Sequence, residues 1–172
     1  MFLIIENSVC DFDLDLLVEV LTVIDSQLDT ILRGWSDAVE ADEFGYFDRA
    51  EHIAGLGFVA CQAYMTSTYG FISVEKSKAL TSGPRHKNGQ TVVEIINHAA
   101  NFWKHYDEWH LDKGTARRDR IIAAFESLGS PVDLDYPLSG ILAELAAPQP
   151  ASFKPLADKL ARWRDDLRSV ST

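Results

Sequence analysis

The chain has 172 residues, 47% of them hydrophobic, with four tryptophans, nine phenylalanines and five tyrosines. That supply of bulky apolar side chains excludes a disordered chain and suffices for one domain with a substantial core. The net charge of −10 falls on residues 1–80, where 14 acidic side chains face four basic ones, while residues 81–172 hold 12 of each. The acidic half should repel nucleic acid and acidic membranes, which leaves the second half for any anion to approach.

Residues 2–5, Phe-Leu-Ile-Ile, are too short and lack the basic lead of a signal peptide, and they run straight into Glu6 and Asp11. No apolar run approaches the length of a membrane span. Cys10 and Cys61 are the only cysteines and form no CxxC pair, so both are expected to be reduced thiols in a cytoplasm.

Along the chain, residues 2–5 read either as a short strand or as a buried lead-in. Asp13 or Asp15 can cap a helix running to about Trp35, with Leu17, Leu21, Ile24, Leu28, Ile31 and Trp35 as its inward seam. Gly34 and the acidic stretch 37–43 mark a break. A second long helix is expected from about Phe47 to Tyr69, with Ala50, Ala54, Gly57, Cys61 and Met65 as a small-residue strip for close packing. Gly55 and Gly57 each cost such a helix about 1 kcal/mol relative to Ala. His52 reads as solvent-facing. A short helix is expected around residues 73–80, and residues 81–89 form a polar, basic loop that holds Arg85, His86 and Lys87.

The spacing predicts a central helix over residues 91–111, roughly 30 Å long. Thr91 and Glu94 form a capping box at its start. Val92, Ile95, Ile96, Ala99, Trp103, Tyr106 and His110 share its inner face, and Gly114 suits its stop. Three further helices follow: 116–128 capped by Thr115 and ended by Gly129, about 137–146 opened by Pro137, and 152–170 capped by Ser152 with Leu156, Leu160, Trp163 and Leu167 facing in. The expected fold is an all-α bundle of five to seven helices, a single domain over residues 1–172.

Function centres on a row beside the inner face of the central helix: His98, Asn101, His105 and Glu108. The plainer reading is amphipathic filler with wet polar tips. Lys104 and Glu108 read as a solvated i,i+4 ion pair. Arg85, His86, Lys87 and Glu108 are the candidate binding residues. Arg117, Arg118 and Arg120 read first as a solvated helix face. A metal site is not expected: His98 and His105 are about 10 Å apart along the axis, too far for one ion with Zn–N bonds near 2 Å. No nucleotide-binding or nucleophile motif is present, so no cofactor is expected. What the row can offer is metal-independent acid–base chemistry by histidine.

An all-α bundle with a polar motif ending in His on a long inner helix resembles the HEPN superfamily. Many of its members are ribonucleases of prokaryotic toxin–antitoxin and defence systems. Their signature is an Arg, four to six residues, then a His. The matching stretch is Asn97-His-Ala-Ala-Asn-Phe-Trp-Lys-His105, with His105 as the motif His. The Arg position falls on His98, Ala99 or Ala100, of which only His98 could substitute. Counting back from His110 makes Lys104 a second imperfect match. Neither His nor Lys reproduces the fixed donor fork that an Arg brings to phosphate. The resemblance covers roughly residues 45–130 and implies a homodimer whose paired central helices form an RNA cleft, with His105 as acid–base group and Asn101 orienting it. The competing expectation, placed first on charge, is an interaction or regulatory protein whose acidic half holds a basic protein partner.

Overall fold

A computed structural model describes residues 2–5, 8–36, 45–109, 115–133 and 135–170. Of residues 2–5, 8, 9, 35, 36 and 170 it describes the backbone alone. The architecture is all-α, with seven helices among the described residues. The lead-in is resolved as a strand: β1 (Phe2–Ile5) pairs antiparallel with β2 (Ser8–Asp11), Phe2 opposite Asp11 and Ile5 opposite Ser8.

The first helix, α1 (Phe12–Ser36), is capped by Asp11 and not by Asp13 or Asp15, because the Asp11 Oδ1 accepts from the Leu14 N–H at 3.0 Å. An N-cap carboxylate has to sit outside the helix, and the end of β2 supplies that position. Leu17, Leu21, Ile24, Leu28 and Ile31 are buried along the expected seam. Helix α2 (Tyr46–Ile72) runs antiparallel to it and packs on α1 and on four later helices. A β-carbon on Gly55 would overlap the Trp103 indole ring, and one on Gly57 the Phe153 ring, so both glycines exist for close approach. His52 is exposed, as its spacing predicted. The short α3 (Lys76–Leu80) follows Ser73, which takes a left-handed backbone conformation and ends α2.

The central helix is shorter than its periodicity predicts. Helix α4 (Val92–His105) gives way to a 3-10 turn at Tyr106–Glu108. The tighter turn brings i and i+3 side chains into line. It stacks Tyr106 on Phe102 at 4.8 Å and sets Trp109 edge-on to Phe102 at 5.3 Å. Tyr106 is therefore exposed and does not belong to the inner face. The Thr91 hydroxyl caps α4 by accepting from the Glu94 N–H at 3.2 Å, and it donates to the Leu80 carbonyl, which ties α3 to the start of α4. Gly34, expected to mark a break, lies inside α1; His110, Leu111, Gly114 and the acidic stretch 37–43 lie outside the described residues, as does the Trp35 side chain.

The remaining helices close the bundle. Thr115 caps α5 (Ala116–Ser127). Gly129 at φ +73° ends it, with the Ser130 N–H returning to the Phe125 carbonyl. Two buried or half-buried acids from the first half cap later helices. Glu51 accepts from the backbone N–H groups of Leu138 and Ser139 at the start of α6 (Pro137–Ala146). Asp25 accepts from the Phe153 N–H and the Ser152 hydroxyl at the start of α7 (Lys154–Val170). Leu156, Leu160, Trp163 and Leu167 are buried in a core to which all seven helices contribute. Among the described residues, no helix is long and apolar enough to cross a membrane.

Candidate functional site

Helix α5 lies on α4, while α3 and the loop before α4 close the other side. Between them is a groove of about 680 Å³. Asn97, His98 and Asn101 of α4 form its floor, Arg117 and Arg120 of α5 one wall, and Lys76 of α3 the other. This arrangement needs the polar strip of α4 to stay open where its apolar strip is buried, which the i, i+3, i+4 spacing provides.

The side chains on the floor are fixed by one network. Gln62 of α2 donates from Nε2 to the Asn97 Oδ1 at 2.9 Å and to the Asn101 Oδ1 at 3.3 Å. Arg117 donates from Nη2 to the same Asn101 oxygen at 2.9 Å. Lys104, outside the groove's lining, donates to the Gln62 Oε1 at 2.6 Å. The Asn101 oxygen is taken by two donors. Arg117 keeps four of its five N–H donors. Among the described residues, Lys76 and Arg120 make no hydrogen bond or ion pair, and neither does the His98 ring. The groove therefore offers donors to a ligand, while its amide acceptors are used internally. Three cations line it against one carboxylate, Glu94.

The charge leaves its mark on the titratable groups. Burial, with the Arg120 guanidinium adding to it, holds the His98 imidazole below its ordinary value, so it is neutral at pH 7. Burial, with Arg117 and Lys76 nearby, lowers the Lys104 ammonium. A cluster that penalises its own positive charges gains from an anion.

The other expected residues lie elsewhere. His105 occupies the same strip of α4 one turn beyond Asn101, half-exposed, with Nδ1 3.1 Å from the Glu108 Oε2. It pairs with Glu108 and is not among the groove's lining residues. Lys104 reaches Gln62 and does not pair with Glu108. The basic loop is tied down by its own contacts, with Arg85 and Lys87 still exposed: Arg85 donates to the Gly89 carbonyl at 2.7 Å, His86 Nε2 sits 3.1 Å from the Glu144 Oε1, and Lys87 pairs with that same carboxylate. Of the three expected surface arginines, Arg117 and Arg120 turn into the groove and Arg118 lies over the Trp109 ring at 5.6 Å. Their i, i+3 spacing was the available sign that Arg117 and Arg120 share a face. Nothing in the sequence marked Gln62 or Lys76. Cys61 is buried and free, and burial pushes its thiol up, away from any reactive role. Among the described residues, no three His, Cys, Asp or Glu side chains are grouped to hold a metal ion.

Comparison with family models, curated proteins and solved structures finds no match.

Proposed function

We propose that the α4–α5 groove binds the phosphodiester backbone of RNA and that the chain is a metal-independent ribonuclease of the HEPN-like kind. The observation that carries this reading is the Arg117–Asn101 bond beside His98. It sets a guanidinium fork against the α4 row, which is the component the motif on α4 lacks. The fork comes from the next helix. A phosphate oxygen seated on the free donors of Arg117 and Asn101 would be held as charge builds on it.

In the reaction this reading assigns, His98, neutral at pH 7, takes the proton of a ribose 2′-hydroxyl. The 2′-oxygen attacks phosphorus, and the 5′-oxygen leaves with a proton. His105, one turn beyond Asn101, held by Glu108 and outside the groove's lining, is the group assigned to give that proton, which requires the scissile 5′-oxygen to lie past Asn101 along α4. The products are a 2′,3′-cyclic phosphate end and a free 5′-hydroxyl, with no co-reactant. RNA incubated with the protein in EDTA should yield such ends. The wild-type rate persisting in Arg117→Ala, or in His105→Ala, would contradict the assignment.

A second reading keeps the expectation of an interaction or regulatory protein with a basic partner. Exposed Asp15, Glu19 and Asp29 on α1 favour it, because they lie on a helix that does not line the groove. Binding to a basic protein that weakens steeply with salt is its test. Both readings take the protein to be cytoplasmic and prokaryotic.

A further inference from the structure

Helix α1 buries one face and leaves a second apolar strip in water. Phe12, Leu16, Val20 and Val23 recur at spacings of four, four and three, and are between 40 and 64% exposed. That periodicity puts all four on one strip. Along the same strip the next positions are Gln27 and Thr30, both uncharged.

Helix α2 extends this strip sideways. Its antiparallel register against α1 is fixed at both ends. Ser67 donates to the Asp13 carboxylate at 2.7 Å, and a β-carbon on Gly34 would lie 2.8 Å from the Tyr46 ring. That register sets Val23 beside Leu56, which is 45% exposed, and sets Leu16 and Val20 beside the small residues Ala60 and Ala63. The result is one shallow apolar face shared by two antiparallel helices. Asp15 and Glu19 run along its α1 edge and do not enter it.

We infer that this α1–α2 face is where a second copy of the chain docks, giving a dimer closed by helix-on-helix packing. Three observations select a copy over another occupant. A surface carrying no charge along its middle is the kind on which a chain of net charge −10 can meet itself, because its acids stay at the rim. The five exposed side chains offer on the order of 450 Å² of apolar surface, close to the apolar share of the roughly 800 Å² per partner that a stable interface buries. The antiparallel pair exposes this face along both helices, so a two-fold axis through it would give a closed isologous dimer of four packed helices. The inference does not rest on the groove, which is built from α3, α4 and α5. It also differs from pairing through the central helices.

Sedimentation equilibrium across micromolar concentrations tests it. The full chain is expected to have twice its 19.2 kDa mass. Leu16→Glu and Val23→Glu should each weaken dimerisation about tenfold or more and leave the helical circular dichroism unchanged, with a melting temperature that no longer rises with protein concentration. Leu32→Glu changes an exposed residue roughly half a turn around α1 and should stay dimeric. The milder pair Leu16→Gln and Val23→Thr gives the same ordering should either glutamate variant misfold. A wild type that is monomeric throughout would overturn the inference. So would a dimer that survives in both face variants.

Discussion

Arg117 of α5 donates to the side-chain oxygen of Asn101 on α4 at 2.9 Å, while Gln62 of α2 donates to that same oxygen from the other side. Three helices thus converge on one amide. The bond fixes Asn101 between its neighbours and holds the Arg117 guanidinium in the groove that His98 also lines. Because Asn101 is buried and Arg117 is largely exposed, the amide fixes the guanidinium more than the reverse. Arg117→Lys keeps the charge and loses the fork. It should therefore weaken RNA binding by roughly tenfold, with Arg117→Ala weaker still, in line with about 1–3 kcal/mol for a bidentate phosphate contact. Fluorescence anisotropy with a labelled RNA measures both. Equal binding by the Lys variant and the wild type would show that only charge matters.

His98 should titrate below the ordinary histidine range. Burial and then the Arg120 guanidinium depress it, so Arg120→Gln should move its midpoint upward in an NMR titration. A depressed folded-state value also fixes the sign of its effect on stability. Above about pH 6.5 the ring is neutral folded and unfolded, and the contribution is whole. As pH falls through the window between that value and the lowered one, the unfolded chain takes the proton first and stability is lost. In His98→Gln this slope should flatten. A wild-type midpoint at or above the ordinary value would contradict the burial account.

The Asp11 carboxylate is buried and accepts from the Arg164 Nη1 at 2.7 Å and from the Tyr64 hydroxyl at 2.8 Å. This joins the end of β2, α2 and α7 at one carboxylate. Removing one charge strands the other, so Arg164→Ala should cost about 3–5 kcal/mol in chemical denaturation. The double variant Asp11→Leu with Arg164→Leu should recover a large part of that loss. A cost for Arg164→Ala within the range of a surface pair, about 0–1 kcal/mol, would show that the pair is solvated.

Two glycines in α2 should respond with opposite sign. Gly55→Ala drives a β-carbon into Trp103 and should destabilise by about 1–3 kcal/mol despite the better helix former. Gly70 has open space where its β-carbon would stand, so Gly70→Ala should stabilise by about 0.5–1 kcal/mol. Thermal melts of the two variants check the ordering.

Much of the fold was legible because it depends on local periodicity. The seam Leu17 to Ile31, the inward face Leu156 to Leu167 and the Thr91 and Thr115 caps are all set by spacing within one helix. What was not legible depends on where helices cross. Glu51 caps a later helix through Leu138, 87 residues on. Asp11 takes over a cap expected of Asp13 or Asp15 because β2 delivers it to the right place. The central helix gives way at Tyr106 to a 3-10 turn in which Phe102, Tyr106 and Trp109 pack on one another, an arrangement that apolar periodicity does not register. For the candidate site, α4 pointed to His98 and Asn101, which line the groove, and to His105, which lies one turn beyond it. The cations that complete the groove come from α3 and α5, and a solvated face and a groove wall have the same pattern along one helix.

The central claim is tested most directly by incubating a mixed RNA pool with the purified protein in EDTA, beside Arg117→Ala, His98→Ala and His105→Ala, and reading out 2′,3′-cyclic phosphate ends. The account predicts metal-independent cleavage by the wild type and its loss in all three variants, with their folds intact by circular dichroism. Wild-type protein that neither cleaves nor binds RNA, or variants that cleave as fast as the wild type, would contradict it.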